Sequence, residues 1–191
     1  MTTISSVRRS KMVPRVELPI LAASLALSVA LFAAGLIVGF QNFSFLGSAA
    51  GDTPQPGWDF GSILARNFGA ACLLFAGVLS GGTITLITLP MIGLYVGATA
   101  QVGVTVAGAP ALLGAVAWYV PFEFAGCLMA AAAGLYPVLA SLRKRRPQAS
   151  LVGTYTASFT GALVLFAAGA VLILLGAGIE TFVISTSGRS S

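Results

Sequence analysis

The stretch Leu18–Phe40, LPILAASLALSVALFAAGLIVGF, holds 23 residues with no charged side chain among them. A helix of about 20 apolar residues crosses the roughly 30 Å hydrocarbon core of a bilayer, so this stretch predicts a membrane span. The rest of the chain is similar, with 57% hydrophobic and 8% charged residues and a mean hydropathy of +0.96. Because roughly a quarter of the residues of a soluble domain are charged, the sequence predicts an integral membrane protein.

Turn residues and charges divide the apolar sequence into five predicted spans. Each is predicted to be helical, because unpaired amides in lipid cost several kcal/mol and the runs lack the alternation of barrel strands. The fourth is longer than a bilayer requires, and we expect it to be tilted or to be broken at 118–121, where Pro121 disfavours helix at the preceding residue. The prediction is an all-α bundle with a tail at 1–17, a membrane domain at 18–184, a tail at 185–191, and spans at 18–40, 61–82, 83–106, 111–140 and 155–180.

Basic residues predict the orientation of the chain. Eight of the ten Lys and Arg residues form two groups, one before the first span and one after the fourth: Arg8, Arg9, Lys11 and Arg15, and then Arg143, Lys144, Arg145 and Arg146. The loop 41–60 has two Asp residues and no Lys or Arg. Because positive groups stay cytoplasmic, we expect the N-terminus inside the cell and the chain in the inner (plasma) membrane. A sixth crossing, made by a split fourth block, would separate the two groups and is disfavoured.

The two basic groups also predict which partners the chain contacts. Both are short, lie beside spans, and have no interleaved aromatic residues or recognisable nucleic-acid-binding module. Anionic lipid head groups attract such residues by about 1 kcal/mol each. We therefore expect membrane lipids as partners and no nucleic acid.

Small residues recur at helical spacing inside the predicted spans. They let helix backbones approach closely, which replaces the hydrophobic driving force that is absent between helices in lipid. Two interpretations stay open: packing within the bundle, or a docking face for the helices of a partner or of a second copy. The glycines concerned are Gly35 and Gly39, Gly77 and Gly81, Gly93 and Gly97, and, with Ala130 between them, Gly126 and Gly134.

Three polar residues stand inside apolar blocks: Arg66 and Asn67 in the second and Glu123 in the fourth. The topology places all three in the outer half of the bilayer. Glu123 is the only carboxylate expected in a span interior, since the fifth span is predicted to end near Glu180. A charge in lipid costs at least about 2.5 kcal/mol, so we expect Arg66 to pair with Glu123 and Asn67 to add hydrogen bonds. Alternatively, Glu123 carries a proton or contacts a substrate, or Arg66 extends to the outer interface.

The chain offers few groups for catalysis. It has no His, so a Ser or Cys nucleophile would need an unusual base. Cys72 and Cys127 lie in apolar runs without a second pair of ligands, and we expect them to be buried, inert thiols that bind no metal. No nucleotide-binding fingerprint is present. The sequence therefore predicts no enzymatic activity and no cofactor.

The run Pro121–Gly126, PFEFAG, begins a segment with a recognisable spacing. Its aromatic-Glu pair is followed, eleven and twelve residues after Glu123, by Gly134 and Leu135. This pattern resembles the signature segment of the stage II sporulation protein M (SpoIIM) family. The resemblance covers roughly residues 17–140, where 63–67 also resembles the family's segment ending in Asn-Asn.

Other parts of the chain both extend this resemblance and depart from it. The segment Gly93–Gly97 resembles the family's Asn-Gly-x-x-x-Gly segment, but Ile92 stands in place of the Asn. Trp118–Val120 stands where the family commonly has Pro-His-Gly, so a role for that His is excluded here. The resemblance implies a divergent member: a multi-spanning bacterial membrane component tied to cell-envelope remodelling, or to export of or immunity to peptide bacteriocins alongside an ABC transporter.

Two functional classes follow from these observations. In the first, the chain is a non-catalytic subunit or scaffold that holds other membrane proteins, such as an ABC transporter or an envelope enzyme. In the second, it is a small secondary transporter or pore in which Arg66, Asn67 and Glu123 line a polar path beside the broken fourth block.

Overall fold

The computed structural model describes residues 16–43, 60–143 and 150–187, and every regular element in these ranges is helical. The predicted basic tail up to residue 15, the outer loop at 44–59, the basic residues 144–146 and the end of the chain at 188–191 lie outside the described residues. The α-helices are α1 (Leu18–Asn42), α2 (Phe60–Phe75), α3 (Thr83–Ala107), α4 (Ala109–Val116), α5 (Val120–Arg143), α6 (Leu151–Ala157) and α7 (Phe159–Ser187).

Within the described residues, five segments are long and apolar enough to cross a membrane. They are α1, α2 with its 3₁₀ extension as far as Val78, α3, α5, and α6 together with α7. Each contains an 18-residue window with at most two charged residues and a mean hydropathy between 1.4 and 2.6. The prediction of an all-helical protein with five span-length helices is confirmed.

The fourth apolar block is broken and not simply tilted. A turn at 117–119 separates α4 from α5, and Pro121 occupies the second position of α5, where its missing N–H costs no helical hydrogen bond. Helix α4 has 8 residues and is therefore only about 12 Å long, too short to cross a bilayer. Trp118, in the turn, is 69% exposed, as is typical of aromatic residues at a membrane interface.

The helices of the last candidate span extend further than the predicted span. They run from Leu151 to Ser187, whereas the sequence analysis predicts a span at 155–180 and a tail at 185–191. Glu is a good helix former, and the apolar residues Phe182, Val183 and Ile184 continue the span beyond Glu180. A single acidic residue therefore does not end this helix.

Helix α5 occupies the centre of the bundle and packs against α1, α2 and α7. Of its most apolar window, 61% of the residues are buried, compared with 28–33% in the other four spans. Its middle, Ala130–Gly134, consists only of Ala and Gly, all fully buried or nearly so. Such small side chains let helices approach α5 from several sides, which is why this span lies at the core.

Both ends of the bundle can be recognised from polar contacts. At one end the Arg143 guanidinium donates to the Pro19 carbonyl (3.2 Å), and the Tyr155 hydroxyl donates to the Val78 carbonyl (2.7 Å). The start of α1, the end of α2, the end of α5 and the start of α6 therefore meet, and we name this the Arg143 end. The opposite end, which holds Glu123, is named the Glu123 end.

Glycines of α1 and α3 bring these two helices into backbone contact. A Cβ at Gly35 or Gly39 would collide with the backbone carbonyls of Pro90 and Leu94 on α3. Reciprocally, a Cβ at Gly93 would collide with the backbone of α1, and the same holds for Gly97. The two GxxxG pairs thus form a single intramolecular interface.

Glycines also join α5 to its neighbours. A Cβ at Gly126 would stand 2.7 Å from the Gly169 carbonyl on α7, and one at Gly134 would collide with the Leu74 carbonyl on α2. Gly77 lies against Thr85. Gly81 differs from the prediction: it lies in the turn between α2 and α3 with φ +62°, and nothing stands within 4 Å of its would-be Cβ. Its role is to allow the left-handed backbone of that turn.

Candidate functional site

Five polar side chains from four helices meet near the Glu123 end. The amide of Asn67 on α2 donates to Oε1 of Glu123 on α5 at 2.5 Å. Arg66 on α2 contacts Tyr95 on α3, and Glu180 on α7 lies close enough to Glu123 for their charges to interact. We call Arg66, Asn67, Tyr95, Glu123 and Glu180 the polar cluster.

Glu180 is the member that the sequence analysis assigns to the end of a span. The sequence analysis expects the span to end near Glu180, whereas α7 continues for seven residues beyond it. Glu180 lies one helical turn after Gly176, which packs on Glu123, although 57 positions separate the two acids in sequence. The continuation of apolar residues at 182–184 was the signal that could have placed Glu180 inside the helix.

Arg66 makes a different contact from the ion pair that the sequence predicts. Its guanidinium hydrogen-bonds the hydroxyl of Tyr95 and lies over the ring of the same residue, 5.3 Å from the ring centroid. A cation over an aromatic face is attracted by the ring quadrupole. The positive charge of Arg66 also acts on the carboxyl groups of Glu123 and Glu180. Arg66 thus belongs to the cluster through its contact with Tyr95 and its charge.

The carboxyl group of Glu123 is enclosed by its neighbours. Glu123 is 8% exposed, and it occupies the first turn of α5, where the helix dipole favours a negative charge. Gly176 on α7 packs directly on it: a Cβ at this position would stand 2.6 Å from Cγ of Glu123. By contrast, Arg66 and Tyr95 lie on the exposed outer side of α2 and α3. The cluster therefore extends from the bundle interior to its surface.

Three members of the polar cluster lie within about 10 Å of a helix end, whereas Tyr95 lies about 18 Å from the end of α3. Glu123 is about 5 Å along the axis from the start of α5, Arg66 about 9 Å from the start of α2, and Glu180 about 10 Å from the end of α7. Tyr119, in the turn before α5, faces the same region. Burial, together with the nearby charges of Glu180 and Glu123, raises the pKa of Tyr119 to about 12, so its phenol stays neutral.

The cysteines lie apart from one another. Cys72 on α2 is exposed and Cys127 on α5 is partly buried, and both are free thiols. In the described ranges, no group of three or more His, Cys, Asp or Glu side chains is placed to hold a metal ion. The chemistry that the arrangement offers is therefore that of two carboxyl groups, an amide, a phenol and a guanidinium.

No family model, curated protein or solved structure matches this chain. The resemblance to the stage II sporulation protein M family, based on Glu123, Gly134 and Leu135, stays a prediction. Of these residues, Glu123 lies in the polar cluster, and Gly134 lies in the contact of α5 with α2.

Proposed function

We propose that this protein is a non-catalytic subunit of a bacterial membrane complex, embedded in the inner membrane by five spans. The observation that carries this proposal is the set of glycine-mediated contacts between helix backbones. Such contacts join α1 to α3, α5 to α7, and α5 to α2. Because interlocked backbones resist sliding and tilting of one helix against another, the bundle is suited to hold partners in a fixed arrangement.

The same contacts limit which surface faces a partner. Seven of the eight glycines named in the sequence analysis are used inside the bundle, so they are not a free docking stripe. Partners would meet the outer faces of α1, α3 and α7, which carry exposed large apolar side chains. The family resemblance suggests an ABC transporter or an envelope enzyme as the partner, and a second copy of the chain is the alternative.

We also propose that the Arg143 end faces the cytoplasm. The hydrogen bond from Arg143 to Pro19 supports this orientation, since it places the flanks of both basic groups at one end of the bundle. Positive residues beside spans are retained on the cytoplasmic side. The polar cluster would then lie in the outer half of the bilayer.

The subunit proposal is tested by extracting the full chain from its native membrane with its surrounding lipid, without detergent. We expect mass spectrometry to identify a partner protein at a fixed stoichiometry. We expect no proton or solute flux when the purified chain alone is placed in liposomes. A chain that is recovered only as a monomer and that supports flux by itself would overturn the proposal.

A second candidate, a small secondary transporter, is favoured by one specific observation. The helix break at 117–119 leads directly into the turn of α5 that carries Glu123, and interrupted helices commonly form the ion sites of transporters. In liposomes, this candidate predicts a flux that Glu123→Gln abolishes and that Glu17→Gln, at the opposite end of the bundle, leaves intact. Absence of flux under proton and solute gradients would contradict it.

A further inference from the structure

We infer that α4 and Trp118 form a lipid-binding surface, in which the exposed face of this short helix lies among the acyl chains of the leaflet at the Glu123 end. The inference rests on the membrane embedding in the proposed function and goes beyond it, since it places in lipid a segment that crosses no bilayer. Three observations carry it: the direction of α4, the composition of its exposed face, and the pairing of its backbone.

Helix α4 folds back along the end of α3. Gly108, between the two helices, has φ +83°, a left-handed backbone that allows a sharp turn. A Cβ at Gly103, four residues before the end of α3, would stand 3.0 Å from Cδ1 of Leu112 on α4. Because each helical residue rises about 1.5 Å, this contact lies about 6 Å inside the end of a candidate membrane span. Helix α4 therefore lies beside the last turns of that span.

The face of α4 that points away from the bundle is apolar. No charged residue stands between Arg66 and Glu123 in the sequence, and no side chain in 109–117 contains a polar atom. None of the eight residues of α4 is buried, and Leu113 is 62% exposed. An apolar surface that continues the flank of a span is favoured in hydrocarbon over water. Trp118, which follows α4, is exposed, and its apolar ring with one N–H suits the head-group boundary.

The backbone of α4 is also suited to lipid, where each unpaired amide group costs several kcal/mol. The Leu112 amide donates to the Gly108 carbonyl (3.1 Å), and the Ala117 amide donates to the Leu113 carbonyl (3.0 Å), so hydrogen bonds reach both ends of the helix. Pro110, the second residue of α4, has no N–H and so removes one of the donors that a helix start leaves unpaired. An irregular loop of the same length would expose most of its amides.

The test is tryptophan fluorescence of the full chain in liposomes that contain no other protein, with quenchers placed in the lipid or in the water. The chain has two Trp residues, so Trp58→Phe leaves Trp118 as the only fluorophore beside an unaltered α4. A second chain, with both Trp residues replaced by Phe, carries Leu113→Trp on the exposed face. We expect phospholipids brominated on the upper part of their acyl chains to quench both chains. Iodide on both sides of the membrane should leave the Leu113→Trp emission unchanged.

Leu174→Trp in the same Trp-free background is the matched control, because Leu174 is exposed near the middle of α7. We expect bromine near the ends of the acyl chains to quench it most. If brominated lipid quenches this control but not the Leu113→Trp chain, α4 lies in water or against a second copy, and the inference alone is overturned. Absence of lipid quenching in both chains would overturn the membrane embedding itself, and the inference with it.

Discussion

At Glu123, three neighbours from two helices act on one carboxyl group. Asn67 donates a hydrogen bond, the charge of Glu180 lies nearby, and the backbone at Gly176 leaves the space that the side chain occupies. Asn67 and Glu123 were named as candidates from sequence because polar residues inside apolar runs are costly and need partners. Glu180 and Tyr95 were not, because their position relative to a span and to a neighbouring helix is not encoded in local composition.

Because Gly176 packs directly on Glu123, adding a single methyl group at position 176 tests this contact. Gly176→Ala should lower the free energy of unfolding by about 1–3 kcal/mol, because the new Cβ forces the packed Glu123 side chain to move. Gly178→Ala is the matched control on the same helix, since nothing lies within 4 Å of its would-be Cβ. Thermal unfolding of both variants in nanodiscs checks this, and equal midpoints would contradict the contact.

The hydrogen bond from Asn67 gives a second prediction at the same scale. Asn67→Leu removes the donor to a buried carboxyl oxygen, and leaving that acceptor unsatisfied should cost about 1–3 kcal/mol of stability. Asn42→Leu is the control, because the Asn42 amide bonds the Val38 carbonyl within its own exposed helix end. Reversible unfolding in mixed micelles measures both changes. A loss at Asn42 as large as that at Asn67 would show that the effect is not specific to the cluster.

At the scale of elements, small residues decide which helices pair. Helices α1 and α3 meet through four glycines, and α5 takes the centre because its middle is built from Ala and Gly. The GxxxG spacing predicts that helix backbones approach one another closely. It left open whether each stripe faces inside the bundle or a partner, since spacing alone does not specify which helix lies opposite.

The interface of α1 with α3 can be tested by a single substitution at Gly97. Gly97→Ala should destabilise the bundle by about 1–3 kcal/mol or more, because its Cβ would collide with the backbone of α1, which cannot move as a side chain can. Gly69→Ala on α2 should be neutral, since its would-be Cβ meets open space. Resistance to denaturing detergent, followed by circular dichroism, measures the difference. Two equally stable variants would mean that the helices do not touch at Gly97.

At the scale of the whole molecule, the polar contacts at the two ends set the path of the chain. Pro19, Val78, Arg143 and Tyr155 share one end, while the polar cluster lies near the other. The described chain therefore starts at the Arg143 end and finishes near the Glu123 end, which requires an odd number of passes along the bundle. It agrees with the five spans expected from hydropathy, because α4 is too short to add a sixth.

This path predicts which positions face the same side of the membrane. In a chain with Cys72→Ala and Cys127→Ala, new cysteines at Ser10 and Ser150 should react with an impermeant thiol reagent from the cytoplasmic side. A cysteine at Ser187, which ends α7, should react from the outside only. Labelling of intact cells and of inverted vesicles measures this. Positions 10 and 150 on opposite faces would contradict the crossing number and the proposed orientation.

The sequence alone predicts the helical class and five helices long and apolar enough to cross a membrane, and it leaves the fourth block either tilted or broken at 118–121. These properties follow from composition summed over about 20 residues and from proline chemistry, both of which are local. The tertiary structure was needed to show that Gly176 packs on Glu123, that Arg66 contacts Tyr95, and that Gly81 lies in a turn while the other named glycines pack. Such contacts depend on how each helix is rotated about its axis and on which helix lies opposite. In a uniformly apolar helix, only packing against the neighbours fixes that rotation.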